Sequence, residues 1–176
     1  MPLDGSAGST QRALQRLLDH QAIRDLVTLY AIARDDHDMD ALMECFAPDA
    51  TFVSQGKEYT GHDALREWFG VNMKRNAFSL HIPNSQVIHF DSDSTATGQM
   101  TGHGEFAHET AFMVCAYRDS DVYVKRDGRW YLGRRAHSFI YAAPSDQLDV
   151  LGREPLTMRW SHVPEPREAD WHPLGV

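Results

Sequence analysis

The spacing of apolar residues changes once along this chain, and that change constrains the fold more than any other feature. As far as about Arg75 the apolar residues recur at helical spacing. From Ser79 to Tyr141 they alternate, as in strands with one buried face. Helices first and strands afterwards is the α+β pattern. Leu14, Leu17, Leu18, Ile23, Leu26, Val27, Tyr30 and Ala31 form one stripe, which predicts a helix over 11–34. Asp38 is placed to cap a second, short helix over 39–46, which Pro48 and Asp49 then end. A short strand over 51–53 and a turn at Gln55-Gly56 follow. A third helix over 64–75 carries Leu65, Trp68, Phe69 and Met73 on its apolar face.

Four strands are expected over 79–90, 95–106, 110–125 and 129–141. Asp127-Gly128 marks a tight hairpin between the last two. Successive strands joined by short turns make an antiparallel meander. A curved sheet wrapped on a long helix leaves a cavity between them, the default binding site of such an architecture. Residues 1–10 read as a flexible lead, 11–143 as one domain and 144–176 as an irregular extension carrying Trp160 and Trp171.

A chain of 176 residues fits one domain that buries about 70% of its unfolded surface, enough for a core with an internal pocket. The net charge of −8 argues against nucleic acid or an anionic membrane as partner, since both call for a basic face. Cys45 and Cys115 lie in apolar runs and read as buried thiols, with neither a disulfide framework nor zinc spacing. No apolar run reaches the ~18 residues of a membrane span, and the first residues lack the apolar core of a secretion signal. A cytoplasmic location is therefore expected.

Several residues are candidates for chemistry. Asp35 closes the first helix, where a carboxylate opposes the negative end of the helix dipole. Such a breach of a local rule is found more often at functional sites, although Asp35 could equally begin a solvated loop with Asp36 and Asp38. His81 starts the first long strand; imidazole is the natural proton carrier near neutral pH, and a carboxylate can orient it. Tyr30 offers a phenol, or simply packs in the core. Asp35, Asp36, His37, Asp38 and Asp40 lack the spacing of a calcium loop, so no metal is expected there. His103, His108 and His137 lie on or beside the strands, with His137 on the same alternation as Phe139 and Tyr141.

The stretches Ile23-Arg24-Asp25-Leu26-Val27-Thr28-Leu29-Tyr30, Asp35-Asp36-His37-Asp38-Met39-Asp40-Ala41-Leu42 and Phe46-Ala47-Pro48-Asp49-Ala50 make a recognisable pattern. Tyr59-Thr60-Gly61-His62-Asp63-Ala64-Leu65 and Arg126-Asp127-Gly128-Arg129-Trp130-Tyr131 extend it. Together they resemble the SnoaL-like group of the nuclear-transport-factor-2-like superfamily, over about residues 14–141. The resemblance implies a cone-shaped α+β barrel, no cofactor, and homo-oligomers, trimers foremost. Lyases of that group, dehydratases and a dehydrochlorinase among them, use a pocket Asp–His dyad with His as base. Asp35 and His81 match the dyad positions, and Tyr30 matches a pocket tyrosine.

The expected activity is a cofactor-free, dehydratase-type elimination on a small hydrophobic, hydroxylated substrate of polycyclic or aromatic type. Asp35, His81 and Tyr30 would be catalytic, and Phe52, Phe69, His103, His137 and Tyr141 would bind the substrate. Isomerisation or polyketide-type cyclisation by the same dyad is the alternative within enzymes. A non-catalytic ligand-binding or dioxygenase small-subunit-like domain is the alternative outside them.

Overall fold

In the computed structural model, which describes residues 4–151 and 153–170, three helices pack on a six-stranded sheet, the third of them between the second and third strands. The helices are α1 (Asp4–Asp35), α2 (Met39–Glu44) and α3 (His62–Arg75). The strands are β1 (Phe46–Ser54), β2 (Lys57–Thr60), β3 (Asn76–Phe90), β4 (Thr95–His108), β5 (Phe112–Arg126) and β6 (Arg129–Pro144), ordered β2-β1-β6-β5-β4-β3. All neighbours are antiparallel except β1 and β6, which run parallel and join the short N-terminal hairpin to the meander. Trp171 and His172 lie outside the described residues.

α1 is helical from Asp4, so most of the anticipated lead belongs to the helix. Ile23, Leu26, Val27, Tyr30 and Ala33 are buried at spacings of three and four residues. The expected stripe does not include all its leucines: Leu14, Leu17 and Leu18 are more than half exposed, on the opposite side of the helix with Leu29 and Ile32. After α1 the chain turns through His37, at a φ of 55°. Asp38 then caps α2 as expected, its Oδ1 accepting from the backbone N–H groups of Asp40 (3.1 Å) and Ala41 (3.0 Å). The second helix is shorter than its predicted span. Phe46 already opens β1, and Pro48 and Asp49 sit exposed inside that strand, where its pairing with β6 is irregular between Phe46 and Thr51. A proline is tolerated at such a gap because no ladder hydrogen bond is required of it.

The Asp127-Gly128 hairpin has positive φ at both residues, 50° and 80°, the geometry that matches strand twist. The inner face of the sheet takes Met100, Gly102, Gly104 and Phe106 from β4. From β5 it takes Cys115, Tyr117, Asp119, Asp121 and Tyr123. Gly102 makes room for an aromatic neighbour, since a Cβ there would lie 2.5 Å from the Tyr117 ring. Two irregularities in β5–β6 pairing, at Gly133 and Ile140, shift the alternation of β6, so Arg135, His137 and Phe139 point inward and Ala142 follows them.

Beyond β6 the chain turns through residues 145–150 and docks back on the body. Ala142 N–H donates to Thr157 O (3.0 Å), Asp170 N–H donates to Phe139 O (3.0 Å), and Met158 is buried. The extension thus packs on its own domain and carries Trp160 over the open end of the helix–sheet interior.

Candidate active site

A cavity lies between α1, α3 and the inner face of the sheet. Its walls are aromatic: Tyr30, Phe52, Trp68, Phe106, Tyr117 and Phe139. Trp160 roofs it, with ring centroids 5.1 Å from Phe139 and 6.2 Å from Phe106, and lies stacked on His108. Gln55, Asn72, Arg75 and His162 form the mouth and are shared with an outer groove between β2 and α3. There Arg75 Nη1 and His162 Nε2 are 3.1 Å apart.

Asp35 and His81 meet at the cavity's edge. α1 ends where β3 begins its run along the helix, so the last carboxylate of the helix faces His81, the sixth residue of β3. Asp35 Oδ1 is 2.6 Å from His81 Nδ1, and both carboxylate oxygens accept from the His81 backbone N–H, at 3.0 and 2.9 Å. The carboxylate that seemed misplaced against the helix dipole is thus held by two donors of β3. Charge-assisted hydrogen bonds of this type contribute about 1.5–3 kcal/mol each, which outweighs a dipole penalty of about 0.3–1 kcal/mol. An acceptor-only carboxylate fixes the proton on Nδ1, leaving Nε2 bare towards the cavity. Burial pushes the His81 imidazole down to about 4 against the opposing Asp35 hydrogen bond, and the Arg34 charge pushes the same way as burial. At neutral pH the ring is an unprotonated base.

A second imidazole lines the same cavity with a carboxylate behind it. His137 Nδ1 is 2.6 Å from Asp119 Oδ1, and Asp119 also lies 3.4 Å from Arg135 Nε. Arg135 is fully buried and forms a two-point pair with Asp121, Nε to Oδ1 and Nη2 to Oδ2, both at 2.8 Å. Burial alone would raise Asp119, but Arg135 and His137 outweigh it and hold the carboxyl below its ordinary value. The Arg135 guanidinium also stacks 4.3 Å from the Tyr30 ring centroid. Tyr30 accepts a 3.3 Å hydrogen bond from Arg34 Nη1. Burial raises its phenol above the usual value despite the two nearby guanidinium charges, so it stays a donor at neutral pH. Cys115 also lines the cavity, and burial pushes its thiol well above its ordinary value, which leaves it unreactive.

The polar atoms of this lining are unevenly satisfied. Arg34 Nε, Ser54 Oγ, Asn76 Oδ1 and Trp160 Nε1 are buried without a hydrogen-bond partner, and all four residues line the cavity. Buried polar groups are nearly always paired, so this lining holds hydrogen-bonding capacity that the fold leaves unused.

Of the residues expected to form the site, Asp35, His81, Tyr30, Phe52 and His137 converge here. Phe69 does not reach the cavity: it is fully buried behind Phe52, ring centroids 4.9 Å apart. His103 is exposed and bonds Asn84 (2.7 Å), because the inner alternation of β4 runs through Gly102 and Gly104 instead. Tyr141 is turned away from the cavity by the irregularity at Ile140, which breaks its alternation with Phe139. His108, in the other phase of β4, is the histidine of that strand that lines the cavity.

Sequence reasoning missed Asp119, Asp121 and Arg135. Their signal was present: Asp119 and Asp121 alternate in phase with Tyr117 and Tyr123, and Arg135 with His137, so charged residues stood on the buried face. The acidic loop is accounted for in pieces. Asp35 holds His81, Asp38 caps α2 and Asp40 pairs with Arg66 at 2.8 Å.

Residues 15–136 match the SnoaL-like domain, more than half of the chain. The chain belongs to this SnoaL-like family. Among solved structures, LinA superposes with a TM-score of 0.72 at 24% identity, over 77% of this chain and 95% of that one. A hexachlorocyclohexane dehydrochlorinase, LinA-type3 from Novosphingobium barchaimii, gives 0.70 at 22% identity, over 77% and 96%. A protein assigned as a scytalone dehydratase, from Novosphingobium aromaticivorans, gives 0.72 at 18% identity, over 89% and 96%. At these identities the likeness establishes a shared fold. The SnoaL-like match ends one residue before His137, so the extension with its roof residue Trp160 lies outside the matched residues.

Proposed function

We propose that this SnoaL-like domain is a cofactor-free lyase that eliminates water from a small, hydroxylated ring compound. The observation that carries the reading is the 2.6 Å bond between Asp35 and His81 at the edge of an aromatic-walled cavity. The dehydrochlorinase and dehydratase names of its structural neighbours, which denote elimination of hydrogen chloride and of water, support it.

In this mechanism His81 Nε2 takes a proton from a carbon made acidic by an adjacent carbonyl. Asp35 keeps the ring in the required tautomer and stabilises the imidazolium that forms. The electron pair left on carbon forms a double bond as the neighbouring C–O bond breaks. The burial that lowers the His81 pKa makes its imidazolium a strong acid, so it returns the proton to the departing hydroxyl on the same face. Water leaves and the residue is restored. Tyr30 donates its O–H to a substrate oxygen, and His137, oriented by Asp119, accepts a hydrogen bond from a substrate hydroxyl. The ring stacks on Phe52, Phe106 and Phe139 under Trp160.

Product mass tests the reaction type. Purified protein incubated with β-hydroxy ketones built on one to three fused rings should give products lighter by one water, without added cofactor. A product of unchanged mass would replace elimination with isomerisation or cyclisation by the same pair. Self-association is supported by the exposed Leu14, Leu17 and Leu18 of α1; the trimer that the family resemblance implies would be overturned by a monomer or dimer in light scattering.

A further inference from the structure

Two arginines are buried beside the cavity, and they are treated differently. Arg135 is neutralised by Asp119 and Asp121. Arg34 is nine-tenths buried and, among the described residues, has no carboxylate within ion-pair distance. Its sequence neighbour Asp35 is committed to His81. Of the Arg34 donors, one Nη reaches the Tyr30 hydroxyl, the guanidinium packs 4.8 Å from the Phe69 ring centroid, and Nε–H is buried with no acceptor. A buried cation without a counter-charge is costly, and this one lines the cavity. Because the Tyr30 oxygen accepts from Arg34, its own proton is free to donate, and no acceptor for it is found among the described residues. A guanidinium with an unpaired N–H and a phenol with an unused O–H stand side by side in the cavity wall.

We propose that Arg34, together with the Tyr30 hydroxyl, binds a negatively charged oxygen of the ligand. Two sources supply such an oxygen: a carboxylate or phenolate that the substrate carries from the start, or a carbonyl oxygen that becomes an enolate once His81 removes the neighbouring proton. The second source rests on the lyase reading and the first does not. In either case Arg34 supplies a buried positive charge within the aromatic cavity, whose mouth carries a second cation, Arg75. It draws the substrate's oxygen to the α1 side, next to the carbon facing His81, and binds it by charge as well as by hydrogen bonding.

Unreactive ligands test this without any turnover. Calorimetry on the wild-type protein compares naphthoate with naphthamide, which share one ring system and differ in charge. An absorbance titration follows ionisation of bound nitrophenol, whose phenolate mimics an enolate. A carboxylate carried by the substrate predicts naphthoate binding at least about tenfold tighter than naphthamide. An enolate site predicts bound nitrophenol ionising at least one pH unit below its value in solution, with little preference between the naphthalene pair. Arg34→Met should remove whichever effect is seen, and Arg34→Lys should keep part of it. Neither effect in the wild type, or an effect unchanged by Arg34→Met, overturns the proposal. The wild-type comparison decides the matter even if Arg34→Met fails to fold. His81→Ala should keep the anion effect; if it also keeps full turnover, the lyase reading fails while the anion site stands.

Discussion

Replacing Asp35 with asparagine changes few atoms and reverses the state of the base. In the wild type both carboxylate oxygens accept from His81, one of them from Nδ1 at 2.6 Å. In Asp35→Asn, with the amide oxygen at the Oδ2 place keeping the shorter bond from the His81 backbone N–H, the new NH₂ stands at the Oδ1 place and faces Nδ1. Two donors cannot meet, so the ring proton moves to Nε2, and the nitrogen that points into the cavity can no longer accept a proton. Wrong-tautomer variants of this type cost roughly 10³–10⁴-fold in kcat. The stability cost is small by comparison. A charge-assisted hydrogen bond is worth about 1.5–3 kcal/mol, and removing a carboxylate from the helix C-terminus returns about 0.3–1 kcal/mol. The net loss is about 0.5–2.7 kcal/mol, or roughly 1–11 °C in Tm for a chain of this size. Long-range nitrogen-15 NMR of the His81 ring reads the tautomer directly, with the wild type protonated at Nδ1 and the variant at Nε2. An unchanged tautomer, or less than about a tenfold loss of turnover, would refute the reasoning.

Other perturbations have equally definite outcomes. Folded His81 titrates at about 4 and the unfolded chain at 6.5, so the unfolded state binds more protons between these values and stability falls as the pH drops from 6.5 to 4. The loss from this residue is on the order of 3 kcal/mol at the lower end. His108 contributes in the same direction, and urea titrations of His81→Gln against wild type isolate the His81 share. The acid limb of kcat/KM should lie near pH 4; a limb near 6.5 would mean that burial does not hold the ring neutral. Arg135→Met leaves Asp119 and Asp121 without their buried counter-charge and should cost about 3–5 kcal/mol in urea unfolding; a cost below about 1 kcal/mol would contradict the pairing. His103→Ala should change turnover less than about twofold, because the ring is exposed on the outer face of β4, and a large loss would redraw the cavity's boundary.

The elements of the fold were legible because the switch from helical to alternating spacing is a direct record of which faces are buried. Asp38 as a cap and Asp127-Gly128 as a hairpin turn were equally readable, each being set by chemistry within three or four residues. What failed depended on contacts distant in sequence. Pro48 and Asp49 look like a helix stop, yet they lie in a strand whose pairing with β6 is decided more than eighty residues later. Leu14, Leu17 and Leu18 look like part of the apolar stripe of α1 but lie on its opposite side with the exposed Leu29 and Ile32, while Asp19 turns towards Lys125 and Trp130 on the sheet.

The site divides along the same line. Asp35 stood out because it breaks the rule for helix ends, and His81 because its alternation left one face for it. Tyr141 was misplaced because the irregularity at Ile140 has no signature in sequence. Trp160 could not be placed because it reaches the cavity only through the return of the extension along β6.

The central claim, that His81 held by Asp35 removes a proton from a ligand in this cavity, is tested most directly by the turnover of His81→Ala. Wild type and variant are compared on a panel of cyclic β-hydroxy ketones, with folding checked by circular dichroism. The account predicts dehydrated product from the wild type and at least about a thousandfold less from the folded variant. A folded variant that turns over at the wild-type rate would contradict it.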